Sequence, residues 1–164
     1  MTPAVYYRSV NRPSLTLTAI LALGPLAGGC AHTVLDQRTD LRGDGWTLTV
    51  HKVTDGPNRF DTGNIVYKPE SGERFIWVVV TLHNDEGQPR KFSFDRCDLD
   101  AGSDVMVPTK VDHDLPVGYD TDLAHEPELA GGESLDRRLM FVYPKDRSPT
   151  RLRCAPMVLA LPQF

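Results

Sequence analysis

Acidic and imidazole side chains gather in one stretch of the chain. Asp112, His113, Asp114, Asp120, Asp122, His125, Glu126 and Glu128 all fall within residues 112–128. Carboxylates are hard oxygen ligands suited to calcium, and imidazoles suit zinc or copper. The spacing matches no ligand template. A solvated acidic loop is therefore the expectation, with metal binding by Asp112, His113, Asp114, Asp120, Asp122 and His125 as the alternative. His125-Glu126-Pro127-Glu128-Leu129 opens like a zinc-protease helix. Leu129 stands where the second His belongs, however, and Pro127 sits badly inside a helix. Residues 98–104 (DLDAGSD) hint at a calcium loop but lack its further ligand spacing and its closing Glu, so Asp and Gly are expected to make a β-turn there. No G-x-S-x-G elbow is present, because Gly132-Glu133-Ser134 lacks the second glycine. No glycine loop suited to phosphate appears either. Nothing in these motifs points to an enzyme or calls for a cofactor.

The elements that hold these residues are bounded by composition. The chain has 164 residues, 24% charged and 40% hydrophobic, which suits one globular domain. Its formal charge is −4. No basic patch dominates, so nucleic acid is not an expected partner.

The first 29 residues read as an export signal. Arg8 and Arg12 precede an apolar stretch, 15–26 (LTLTAILALGPL), and small residues follow as Ala27-Gly28-Gly29-Cys30. Twelve residues make a helix of about 18 Å at 1.5 Å each. The hydrocarbon core is about 30 Å thick, so a spanning helix is the weaker reading. Loss of the two arginines would bring the mature chain near −6.

A cysteine directly after small residues at the end of such a segment resembles the lipobox of bacterial lipoproteins. The resemblance implies that the signal is cut before Cys30, that its sulfur takes a diacylglycerol and that the new amino terminus is acylated. Ala27 occupies the place where the family prefers Leu. Two or three acyl chains anchor a protein stably, where one alone is marginal. The implied location is the cell envelope, lipid-anchored. Ala31 in place of a retention Asp favours the outer membrane where the cell has one. The alternative is an ordinary signal peptide with Cys30 left as a thiol.

If Cys30 is acylated, Cys97 and Cys154 remain. No CxxC spacing makes them a metal pair, and in an oxidising compartment an isolated pair is expected to form a disulfide. The alternative is two buried thiols that never meet.

Behind the signal, residues 30–44 are polar and read as a lipidated cysteine and flexible tether. A domain is expected over 45–164. Trp46, Leu48 and Val50 alternate with Thr47, Thr49 and His51, the period of a half-buried strand. Residues 75–82 (FIWVVVTL) are β-branched and aromatic almost throughout and read as a central strand. Residues 90–97 alternate again through Phe92 and Phe94. Leu139, Phe141 and Tyr143 alternate with Met140 and Val142, and 152–161 form a last strand interrupted by Pro156. About seven short strands with no amphipathic helix predict two antiparallel sheets packed face to face.

Two segments carry a family likeness. Residues 75–84, followed by Pro89 and Phe92, and Leu129-Ala130-Gly131-Gly132-Glu133-Ser134, followed by 139–146 (LMFVYPKD), resemble the immunoglobulin-like domain of bacterial lipoproteins related to the mycobacterial immunoprotective extracellular protein. Gly131 stands where that family usually has Pro. The likeness covers roughly residues 46–161 and implies an all-β, immunoglobulin-like antiparallel sandwich without catalytic residues. The expected role is a membrane-anchored, non-enzymatic module that binds another envelope protein or supports an assembly. The alternative is a periplasmic metal-binding lipoprotein using residues 112–128.

Overall fold

The computed structural model describes residues 33–61, 65–112 and 125–162. In chain order its strands are β1 (Thr33–Leu35), β2 (Thr39–Gly43), β3 (Trp46–Asp55), β4 (Phe60–Asp61), β5 (Val66–Tyr67), β6 (Glu73–Asn84) and β7 (Arg90–Lys91). There follow β8 (Cys97–Ala101), β9 (Asp104–Met106), β10 (Lys110–Asp112), β11 (Glu128–Leu129), β12 (Ser134–Pro144), β13 (Arg151–Cys154) and β14 (Met157–Ala160). Among the described residues the only helical turn is a 3-10 turn over Phe94–Arg96.

The fold is an all-β antiparallel sandwich of the immunoglobulin-like kind. One sheet runs β1-β3-β6-β12-β10, with β2 also paired to β3, and the other runs β14-β13-β8-β9. Two-stranded ribbons, β7 with β11 and β4 with β5, complete it. The central strand is β6, as residues 75–82 predict. It pairs along its full length with β12, from Ser134 opposite His83 to Pro144 opposite Glu73.

Alternation decides what each strand buries. Ile76, Val78, Val80, Leu82 and Asn84 of β6 face the other sheet, as do Leu139, Phe141 and Tyr143 of β12. Leu48 and Val50 of β3 join them, opposite Leu99, Leu152 and the two cysteines of the second sheet. A one-residue slip would reverse every side chain of a strand. β3 contains such an irregularity and survives it. Val50 pairs with Val80 while Lys52 pairs with Val79, so His51 is the extra residue of a β-bulge. The bulge lets Val50 and Val53 both enter the core although their numbers differ by three.

Both faces of β6 are covered at its start. Phe75 and Met140 are buried on the outer face, under the segment that carries β4 and β5. This double covering is why 75–82 reads as a continuous apolar run.

Several expectations are corrected. Residues 33–43, expected within a tether over 30–44, form β1 and β2 along the edge of β3, so the sandwich begins by Thr33 and not at 45. Residues 90–97 are not one strand. β7 ends at Lys91, and Phe92 and Phe94 both turn into the core around the 3-10 turn. The last strand is a hairpin, β13 and β14, turning at Ala155-Pro156 with a cis bond. The strands outnumber the seven expected because two-residue pairings and split edges leave no alternating signal.

Candidate functional site

Cys97 and Cys154 are directly opposite in the β8–β13 pairing, with Cα atoms 4.0 Å apart, and they form a disulfide. Both are fully buried against the core. They staple the β8–β9 hairpin to the β13–β14 hairpin.

The acids of residues 98–104 do not converge on a cation site. Asp98 and Asp100 lie on β8 and pair with Arg153 and Arg151 of β13, at 2.8 and 2.5 Å. Asp104 pairs with Arg147 at 3.1 Å. Asp100 also accepts the Gly102 amide, and Gly102 has φ 79°, so these residues do turn work as expected. Outside, they form an Arg–Asp ladder across the sheet.

The candidates in the acidic stretch divide. Asp112 ends β10, opposite Arg138. His125 lies beside the 3-10 turn, with its Nδ1 2.8 Å from an Asp95 carboxylate oxygen, and its carbonyl accepts the Phe94 amide. His113, Asp114, Asp120 and Asp122 lie outside the described residues, as does Cys30. Among the described residues no three His, Cys, Asp or Glu side chains are grouped to hold a metal.

The structure brings other side chains together on the outer face of the larger sheet. At one end Trp77 meets Phe60 edge-on, with ring centres 5.8 Å apart, and Phe60 neighbours Tyr67. The Arg138 guanidinium lies 4.1 Å from the Trp77 ring centre, and the Lys110 ammonium lies over Tyr67 at 5.3 Å. Such cation–π contacts are worth more when partly desolvated. They let β10 and β12 keep cations under an aromatic cover.

The other end is polar. Thr81 donates its hydroxyl to Asp136 at 2.5 Å and contacts His51 Nε2 at 2.8 Å. The hydroxyl has one proton, so His51 must be the donor in the second bond. Thr49 donates to Asp40, and this hydroxyl, aided by Arg38, holds the Asp40 carboxyl below the usual range. Ser134 and His83 are register partners with Oγ and Nδ1 2.9 Å apart, and His83 Nε2 is 3.7 Å from Asp85.

Ser, His and Asp in this order suggest a nucleophile, base and orienting acid. Acyl transfer also needs amide donors for the developing oxyanion. In the adjoining turn the amides of Ala130, Gly132 and Glu133 are already given to Glu133 Oε2, the Asn84 carbonyl and the Ala130 carbonyl. That turn therefore offers the serine no oxyanion pocket from these groups.

Asn84 and Tyr143 bury polar atoms whose hydrogen-bonding roles the sequence pattern does not show. Asn84, fully buried, donates to the carbonyls of Gln88, Leu129 and Ala130 and accepts the Glu86 amide. It ties the turn after β6 to the turn before β12. Gly131 lies so close to Gly87 that a Cβ would stand 2.4 Å from its carbonyl carbon, so the turn has room only for glycine there. Tyr143 crosses the sandwich and donates to the Asp100 carbonyl at 2.8 Å. Burial raises its pKa. The signal for Asn84 was its position at the end of an alternating run, with the parity of the core.

No family model and no curated protein matches this chain. Among solved structures it is similar to a conserved hypothetical protein from Bacillus anthracis, at 18% identity and TM-score 0.49, over 74% of this chain and 88% of that one. A functionally unknown protein from Listeria monocytogenes is similar at 14% identity and TM-score 0.47, over 73% and 70%.

Proposed function

We propose that the protein is a lipoprotein of the bacterial cell envelope, anchored through Cys30, whose sandwich is a non-enzymatic module that binds another envelope protein or supports an assembly. The Cys97–Cys154 bond carries this reading. A buried structural disulfide is at home in an oxidising, exported compartment and rare in the cytosol. Its loop, with a sequence separation of 57, is equated by the chain-entropy model with about 4 kcal/mol of stabilisation. With two cysteines so bonded, Cys30 is the third, directly behind the apolar segment and its small residues. The surface supports a binding role over catalysis. Among the described residues, Asp98, Asp100 and Asp104 are engaged by arginines, and the turn beside Ser134 and His83 has already spent the amides of Ala130, Gly132 and Glu133.

The test is processing in a bacterial host. The mature chain is expected to begin at Cys30, to carry diacylglycerol and acyl mass there, and to partition into detergent. Cys30→Ser is expected to stay unprocessed or to appear in the soluble fraction. A Cys30→Ser protein that is cut at the same bond and still partitions into detergent overturns the reading.

A further inference from the structure

The first strand determines how the domain stands on its anchor. β1 opens at Thr33, opposite Thr54 near the end of β3, and Thr54 is opposite Trp77. From Cys30 to Thr33 there are three Cα steps, a reach of about 11 Å at most with 3.8 Å per step. Resting on the reading of Cys30 as the lipid-bearing residue, we propose that the sandwich stands upright on the lipid headgroups by its Thr33 end. Residues 56–61 and 65–72 then face the membrane surface and the Asn84 end faces away.

Strand direction and charge both favour this pose. β1 and β2 run in one direction along β3, from Thr33 opposite Thr54 to Gly43 opposite Trp46. The chain thus enters the sheet at the anchored end and climbs away from it. The turns at that end, 55–61, 65–74, 102–104 and 144–150, hold five Lys and Arg against six Asp and Glu. Those at the far end, 42–47, 83–91 and 125–134, hold three against six. Net-anionic headgroups repel the far end more. The near end also presents Arg59 and Lys68 beside Phe60 and Tyr67, the mixture of aromatic and basic side chains that suits a membrane–water boundary. Eleven steps of about 3.3 Å along β6 place Asn84 about 36 Å from Glu73, so the far turns clear the headgroups.

Both tryptophans of the chain are placed for the test, Trp77 near the anchored end and Trp46 at the far end, opposite Asn84. The mature lipidated protein is reconstituted in vesicles of phosphatidylcholine and phosphatidylglycerol containing a dansyl-headgroup lipid. Trp46→Phe leaves Trp77 as donor, and Trp77→Phe leaves Trp46. With the two positions about 23 Å apart along the strands, energy transfer from Trp77 is expected to exceed that from Trp46 at least about fivefold. Equal transfer means that the domain lies on its edge, and stronger transfer from Trp46 means that it is inverted. Either result overturns the proposal. Mass spectrometry of the same samples separates the two readings. Lipid on Cys30 with equal transfer sinks the pose alone, whereas no lipid on Cys30 sinks the anchor and the pose with it. Hydrogen exchange on the unsubstituted protein guards against a misfolded variant. Vesicles are expected to slow exchange in 56–61 and 69–72 and to leave 85–88 unchanged. Protection at 85–88 instead overturns the pose.

Discussion

Asn84 has no exposure to water, and its one side-chain amide serves three carbonyl oxygens. Removing a partner from a buried acceptor costs about 1–3 kcal/mol. Asn84→Ala is therefore expected to destabilise the domain by about 3 kcal/mol, with water replacing part of the network. Asn84→Asp is the sharper test, because it aims a carboxylate oxygen at those same carbonyls. Urea unfolding at pH 7 is expected to rank it below Asn84→Ala, and equal stability would refute the donor role. Tyr143 gives a pH signature. Its folded pKa is raised above 10.0 by burial, so its contribution is full below pH 10. As pH rises further the unfolded chain ionises first, and stability is lost through the folded pKa. Tyr143→Phe is expected to cost about 1 kcal/mol at pH 8 through the lost bond to Asp100. It also removes this loss above pH 10, so the gap between the two proteins in urea unfolding narrows from pH 8 to pH 11. In the sequence Tyr143 is legible as an inward residue of an alternating run, and Asn84 as the residue that ends one. Their distant partners, the carbonyls of Leu129 and Ala130 for Asn84 and of Asp100 for Tyr143, lie 43 to 46 residues away and leave no local trace.

Elements were legible where burial repeats with a simple period. β6 and β12 are such cases, long and paired with each other, β6 marked by its continuous apolar run and β12 by the alternation of Leu139, Phe141 and Tyr143. β3 looked equally regular because Trp46, Leu48 and Val50 come before the irregularity. The bulge at His51 carries no composition signal, since its only effect is to bring Val53 back to the core face. This makes a test in which two deletions of one residue differ. Deleting His51 leaves Val50, Lys52 and Val53 alternating inward, outward and inward, as the sheet requires. The domain is expected to stay folded, losing the contact to Thr81 and about 1 kcal/mol. Deleting Thr49 also straightens the strand but sends Val50 outward and His51 inward. A buried valine is then exchanged for an imidazole without a partner, at a cost of several kcal/mol. Thermal melts of the two proteins are expected to separate by about 10 °C, given about 3–5 °C per kcal/mol for a domain of this size. Similar melting temperatures would mean that the bulge is not what fixes the register. The 3-10 turn and the β13–β14 hairpin escaped for a related reason. Phe92 and Phe94 keep a period of two while the backbone between them leaves the sheet.

At the scale of the whole molecule, the difference with most consequence is where the sandwich begins. Residues 31–44 are polar, and a polar stretch after a signal reads as a tether. An edge strand, however, needs to bury only a few side chains. Val34 is almost fully buried, and Leu35 and Leu41 pack against the core, while the alternate positions of β2 stay exposed. β1 and β2 also cover the row of backbone N–H and C=O groups along β3. Without them β3 becomes an open edge beside a core-lining strand, a template for aggregation. A chain beginning at Gly45 therefore loses more than a linker. Val34 alone is worth about 1.5–3 kcal/mol when fully buried, and the lost pairings with β3 add to that. Compared with a chain beginning at Ala31, it is expected to melt at least about 10 °C lower and to associate on size-exclusion chromatography. If both chains melt together and remain monomeric, β1 and β2 are dispensable cover, and the short link from Cys30 to Thr33 no longer constrains the pose proposed above for a lipid-anchored domain.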